Sequence, residues 1–381
     1  MRPFGVERWF SRYEFTVGVN IAESCIKPLS LKEIADIAGP AFLEEFEGLT
    51  FGYTDGSGDP ALRRAVASMY EGATEDNVLV TVGAIEANFL AFNALIQPGD
   101  EVISVFPAYQ QLYEVPEAAG AVVKRWVLRR ENRFAPDLDE LRRLITPRTK
   151  MIVINFPHNP TGVALSPELL EEICGIACER GILLHSDEVY RGLRLDGGPP
   201  SPSAWDYRRG GVVVVGSMSK AFGLSGARIG WIVASPEIIR RCAELRDYVS
   251  ICPAKAGEVV ARAVLENRVK VMERNRWIAL ENYGILREWL RENEEFVGAV
   301  LPFEGVVAFP WLRFPMPSEE FCEGLVREHD VLVVPGSRFE TEGHFRVGFG
   351  YAREKLIAGL DRLSTYLRKV ARGFAAAHQG I

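Results

Sequence analysis

Read for polarity alone, the chain from residue 78 to residue 231 repeats a two-part pattern: a short apolar, β-branched run, a turn marked by glycine or proline, then a stretch with helical spacing. The runs are NVLVT before GAIEANFLAFNALI, DEVISVFPAY before a helix ending at AAG, AVVKRWVL before DLDELRRLI, TKMIVINF before PELLEEICGIACERG, then GILLHSDEVYRG and GGVVVVGSMSK. Strands alternating with helices predict an α/β fold with a mostly parallel sheet and helices on both faces, since parallel neighbours need a crossover that a helix supplies. Upstream, residues 1 to about 50 read as irregular, with one or two helical patches in SLKEIADIAGPAFLEEFEG. Asp59 followed by Pro60 predicts an N-cap and first helical residue, which puts Tyr53 on the loop before that helix. Downstream, SPEIIRRCAELRDYVS and a long segment from Lys255 to Asn293 read as helical. From about 296 a smaller α+β unit follows, with Arg346 inside the strand HFRVGFG and a closing helix through Lys369. The expected division is an N-terminal segment 1–44 packing with the small domain, a large domain 45–280 and a small domain 281–381.

The stretch Gly210–Trp231, GGVVVVGSMSKAFGLSGARIGW, concentrates candidate chemistry. Four valines predict a buried strand, and Ser217, Ser219 and Lys220 follow it on a glycine-punctuated turn that delivers Arg228. A lysine where a buried strand opens into such a loop can be desolvated, which lowers an amine's pKa toward nucleophilic use; an ordinary solvated loop lysine is the competing reading. In open α/β sheets ligands bind beyond the carboxyl ends of the strands. Ala84, Tyr109, Asn159, Asp187, Tyr190, Ser217 and Lys220 each follow an apolar run, so they are predicted to share one rim. The step from strand to Gly83 to helix leaves free backbone N–H groups at 84 to 86, a generic anion site. Asp187 at a strand end either caps the next turn or needs a cationic partner, and Arg346 within an apolar strand needs an anion, from a ligand or from an acidic side chain.

Composition narrows the class. The chain has 381 residues, 48% hydrophobic and 25% charged, enough for a sizeable core and more than one domain. A net charge of −7 argues against nucleic-acid and anionic-membrane partners. The first fifteen residues mix charges with aromatics rather than forming a signal peptide, and the expected location is the cytoplasm. Six cysteines are scattered, with Cys174 and Cys178 on one helix face as core residues, and the five histidines fall in no ligand spacing, so no metal is expected.

Taken together, Tyr53, the GAIE loop (Ala84, Ile85), Tyr109, NPTG at 159–162, D-x-x-Y at 187–190, S-x-x-K at 217–220, Arg228 and Arg346 resemble the class I/II aminotransferases, fold type I enzymes that depend on pyridoxal phosphate. The resemblance covers residue 45 to the end. It implies pyridoxal 5′-phosphate held by Lys220 as a Schiff base, Asp187 paired with the ring nitrogen, and Asn159 and Tyr190 bonded to the ring hydroxyl. It also implies Tyr109 stacked on the ring, the phosphate bound by Ser217, Arg228 and the backbone at Ala84 and Ile85, and Arg346, with Asn159, on the substrate carboxylate. Tyr53 is implied to reach in from a partner subunit, hence a homodimer. Lys220, Asp187 and Tyr190 are the implied catalytic set, acting on an amino acid and a 2-oxo acid.

Two positions depart from the family pattern: GVNIAES at 18–24 stands where a small-residue segment lines the substrate pocket, and His158 precedes Asn159, where it is expected to pack behind the site. NFPHNPTG, ENRFAPDLDELR and SMSKAFGLSGARIGW also look like segments of capreomycidine synthase, so a lyase or cyclase on the same scaffold is the alternative to transamination. A non-catalytic cofactor-sensing regulator is a third reading, disfavoured because no DNA-binding extension precedes residue 45.

Overall fold

The computed structural model describes residues 1–208 and 210–378. Its centre is a seven-stranded sheet in the order Val78–Thr81, Gly230–Val233, Val212–Ser217, Leu183–Asp187, Thr149–Asn155, Glu101–Phe106, Val122–Val127. All neighbours run parallel except at Gly230–Val233, which is antiparallel to both strands beside it. Every residue of Val78–Thr81, Glu101–Phe106, Val212–Ser217 and Gly230–Val233 is buried, which is what strands covered on both faces require. Val122–Val127 closes one edge and leaves Val122 and Arg125 exposed. The register pairs Asn155 with Asp187 and Asp187 with Val215, so these strands deliver their carboxyl ends at nearly one level.

The remaining strands are short. Val19–Asn20 runs parallel to Val331–Leu332, and Phe345–Gly348 is the middle strand between Val307–Ala308 and Val334–Pro335. Asp59 caps Pro60–Ala67 by accepting from the Leu62 N–H, as its position before proline predicts. Among the described residues, no helix is long and apolar enough to cross a membrane.

Three expectations need correction. The N-terminus is not irregular: besides Leu31–Ala38 and Pro40–Glu47 it forms a helix over Gly5–Tyr13. Val6, Trp9, Phe10 and Tyr13 fall at helical spacing, and burial of Val6 and Trp9 stabilises a segment that lacks a side-chain N-cap. The long helical segment is two helices, Lys255–Glu266 and Arg268–Glu292, hinged at Asn267, whose amide bonds back to the Ala263 carbonyl. The closing helix continues past Lys369 to His378.

Candidate active site

The carboxyl ends of the large sheet open onto a cavity of about 640 Å³. Its floor is built from strand ends. Asp187, the last residue of Leu183–Asp187, is 4% exposed; its Oδ2 accepts from Asn88 Nδ2 at 2.9 Å and its Oδ1 from the Val189 N–H at 3.3 Å. Burial raises its pKa against the pull of those hydrogen bonds, and no cation among the described residues is in ion-pair contact with it. Behind it Asn88 Oδ1 accepts from His185 Nε2 at 2.8 Å, and burial pushes that imidazole down to about 3, so it is neutral.

Lys220 is half-buried on the turn after Val212–Ser217, and its Nζ donates to Ser24 Oγ at 2.9 Å and lies 3.5 Å from Cys25 Sγ. Burial alone acts to lower the amine's pKa, as the sequence suggested. The neighbouring Cys25 and Tyr190 outweigh it, so the free amine is held above its ordinary value, which corrects that expectation. Tyr190 is buried beside it, the ammonium standing 5.9 Å from the ring centre.

One side of the cavity is shaped for an anion. The thirteen-residue helix Gly83–Leu95 points its N-terminus there, with Ala84 and Ile85 on the lining and first-turn N–H groups that have no partner within the helix. Gly83 has φ of 75°, and a Cβ on it would stand 2.7 Å from an Arg228 guanidinium nitrogen. A Cβ at Gly230 would come within 2.5 Å of the Ala84 nitrogen, so glycine at both places lets strand, helix and arginine meet. Arg228 itself adopts a left-handed conformation, φ 54°, and Ser217, also on the lining, donates to the Ile229 carbonyl at 3.3 Å.

Opposite lies Arg346. It is 1% exposed, donates through Nη1 to Asn159 Oδ1 at 2.8 Å and through Nη2 to the Ala22 carbonyl at 3.0 Å, and leaves Nε without a partner. Among the described residues no acidic side chain is bonded to it; a buried guanidinium with an unmet donor on a cavity wall can bind a carboxylate. Tyr109 extends over the cavity, packed against Phe4 at 4.7 Å and donating to Glu7 Oε1 at 2.8 Å.

The sequence-predicted residues Ala84, Ile85, Tyr109, Asn159, Asp187 and Tyr190, with Ser217, Lys220, Arg228 and Arg346, thus line one cavity. Tyr53 does not: it is 86% exposed on its loop. His158 is buried away from the lining, between Thr161 Oγ1 at 2.7 Å and the Pro107 carbonyl at 2.8 Å, and burial lowers it to about 4. The sequence reading missed Asn88, Gln111, Cys25 and the helix Gly5–Tyr13, which with its C-cap Glu14 supplies Glu7, Phe10 and Glu14 to the lining. Asn88 sits four residues from Ala84 on the same helix face, a spacing that points to it; nothing local marks the others.

An anion cradle, a buried carboxylate short of a cation and a lysine amine on one cavity in an α/β fold define a fold type I pyridoxal-phosphate enzyme. Residues 32–363 match the family model described as aminotransferase class I and II, and the chain belongs to that family. It is 34% identical over 370 residues to capreomycidine synthase of Streptomyces vinaceus, covering 97% of this chain and 94% of that protein. Among solved structures it is similar to a PLP-dependent aminotransferase from Streptococcus suis (TM-score 0.92, 39% identity, 97% and 99% of the two chains). It is also similar to the PLP-dependent cyclase OrfR (TM-score 0.89, 33% identity, 97% and 98%). Pyridoxal phosphate is therefore the cofactor, and the residues present fit it: Asp187 lacks the cation that a protonated ring nitrogen supplies, and the Gly83–Arg228 cradle suits its phosphate.

Proposed function

We propose that the chain is an aminotransferase, moving an amino group between an amino acid and a 2-oxo acid. The observation that supports this reading is that Lys220, Asp187 and Arg346 line one cavity, with the buried guanidinium short of one acceptor. When bound, pyridoxal phosphate supplies an aldehyde that condenses with amines and a ring that draws electron density from the substrate Cα. Lys220 anchors it and, once its amine is released, moves the proton at Cα. Asp187 holds the ring-nitrogen proton in place. Asn159 and Tyr190 orient the ring hydroxyl, Tyr109 covers the ring face and excludes water, and Ser217, Arg228 and the N–H groups of Ala84 and Ile85 bind the phosphate. Arg346, steadied by Asn159, grips the substrate carboxylate.

Phe51, Tyr53 and Tyr248 are 86%, 86% and 90% exposed, an apolar set that suits a homodimer in which Tyr53 reaches the partner's phosphate. Residues 1–44 and 281–381 are read as packing together beside a cofactor domain at 45–280, in a cytoplasmic enzyme of amino acid metabolism.

A second reading, closure of the substrate's own side chain into a ring, is favoured by the likeness to capreomycidine synthase and to a cyclase. One experiment separates them. The holoenzyme, sedimenting as a dimer, is given amino acids without an acceptor: transamination aminates the cofactor and releases one equivalent of 2-oxo acid, then stops. Continued turnover to a cyclic product, with no 2-oxo acid, replaces the first reading by the second. Failure of borohydride to fix cofactor on Lys220 removes both.

A further inference from the structure

The segment GVNIAES at 18–24 has no task in the chemistry above, yet its end lines the cavity and its backbone runs between the arginine and the lysine of the site. On one side the Ile21 carbonyl accepts from the Gly348 N–H at 2.8 Å and the Ala22 carbonyl from Arg346 Nη2 at 3.0 Å. On the other the Ile26 N–H donates to the Lys220 carbonyl at 3.2 Å and the Leu29 N–H to the Gly223 carbonyl at 3.0 Å. The fit is close: a Cβ on Gly348 would stand 1.6 Å from the Glu23 carbonyl oxygen, so only glycine there lets the segment lie against the strand that carries Arg346. Ala22, Ser24 and Ile26 are all buried.

A backbone pinned on both sides makes Ser24 Oγ a fixed acceptor facing a mobile donor. Lys220 reaches the cavity on a flexible stem, and its Nζ donates to Ser24 Oγ at 2.9 Å, the one oxygen in hydrogen-bond contact with it among the described residues. Its other neighbours do not fix the direction of its N–H bonds. Cys25 Sγ, at 3.5 Å, is a weak acceptor, and Tyr190 presents its ring with the centre 5.9 Å away. Cys25 and Tyr190 favour the charged amine and Arg346 opposes it.

The hydroxyl matters most when the amine is neutral. A neutral amine keeps a single lone pair, and an N–H bond held on Ser24 Oγ stops free rotation about Cε–Nζ and leaves that lone pair for the cavity, where Arg346 holds the substrate. The proton passes from Cα to the lone pair while the C–H electron pair is drawn into the cofactor ring. The ammonium so formed keeps its bond to Ser24 until it gives the proton back.

We propose that Ser24 is a positioning residue for Lys220: its hydroxyl holds the released amine at one place and in one orientation, so that the amine takes and returns the Cα proton without re-orienting. The proposal rests on the reading of Lys220 as the carrier of that proton, which is common to amino transfer and to ring closure.

The test compares Ser24→Ala and Ser24→Thr with the wild-type holoenzyme, using the amino acid that the acceptor-free reaction consumes, protonated or deuterated at Cα. In Ser24→Ala, borohydride fixation of cofactor on Lys220 and the dissociation constant of the amino acid, read from the cofactor absorbance, are expected to stay within about twofold of wild type. Single-turnover removal of the α-proton is expected to slow by about thirtyfold, with a larger isotope effect. Ser24→Thr, which keeps the hydroxyl, is expected to recover most of that rate. In the cofactor-free chain, trinitrobenzenesulfonate is expected to label Lys220 about threefold faster in Ser24→Ala at the same pH, because an acceptor that favours the charged amine has gone. Cofactor fixation, amino-acid binding and proton removal that fall in equal measure make Ser24 a packing residue and overturn the proposal. Proton removal unchanged in Ser24→Ala, or not recovered in Ser24→Thr, overturns it too, and all of these leave the enzyme reading standing. A wild-type protein in which borohydride fixes no cofactor on Lys220 overturns that reading, and the role of Ser24 with it.

Discussion

The large sheet carries a buried carboxylate at each end, and the two are treated in opposite ways. At the amino end, Glu101 is 2% exposed and saturated: Lys124 Nζ lies at 2.6 Å, Arg148 Nη2 at 2.7 Å and Thr146 Oγ1 at 2.5 Å. Those hydrogen bonds, Lys124 foremost, draw its pKa down to about 2. At the carboxyl end, Asp187 is 4% exposed and has amide partners but, among the described residues, no cation in ion-pair contact, and burial moves its pKa the other way. A carboxylate whose charge is matched by the protein stabilises the fold and has nothing left for a ligand. One left short of a cation costs the empty chain stability and is ready to hold a positive charge brought in from outside. Arg346, buried with a free Nε, is the same device with the sign reversed.

The strongest break of this contrast is Asp187→Asn, which keeps the shape and removes the charge. Activity is expected to fall by about two to three orders of magnitude, while the cofactor-free chain keeps or gains thermal stability. The sign follows from the raised pKa: a carboxyl group that prefers its proton in the folded chain loses stability as pH rises past its ordinary value of 3.8. A large drop in apo stability in this variant would place Asp187 with Glu101 as a structural acid.

Next in size, Arg346→Ala is expected to weaken amino-acid binding by about thirtyfold or more, with cofactor affinity nearly unchanged. Titration of cofactor and of amino acid measures the two separately, and loss of the cofactor instead would mean that Arg346 serves the wrong anion.

The smallest effect is expected for Glu101→Gln, with activity close to wild type and stability lower by about 1 kcal/mol, since its cationic partners are partly exposed. Its folded pKa is depressed, so the contribution is present above 4.5 and lost as pH falls toward about 2. Melting curves of wild type and variant should therefore converge over that window; a constant gap across it would show that packing, not charge, is what Glu101 contributes.

Most of the residues on the sheet-end rim of the cavity were legible in the chain. Strand, turn and helix are punctuated locally, so VVVVGSMSK, HNPTG, HSDEVY and TVGAIE announce their own strand ends, and the parallel sheet brings those ends to one rim. The substrate side was less so. Nothing around Glu14 or Glu23 marks them as cavity residues, and Cys25 became a neighbour of Lys220 only through a contact 195 residues apart in sequence. The free-amine pKa of Lys220 was misjudged for the same reason, because burial could be inferred locally and the thiol and phenol beside it could not.

By itself the sequence determined the α/β alternation, the lysine-bearing turn, the glycine-led helix start at Gly83 and the arginine in a late strand, all of which depend on local propensity and spacing. Only the tertiary structure decided which buried charges are matched and which are left open. That balance depends on partners far away in the chain, Lys124 and Arg148 for Glu101, Asn88 for Asp187 and none for the Arg346 Nε, and a charge is neutralised by what lies within a few ångströms, wherever in the sequence it comes from.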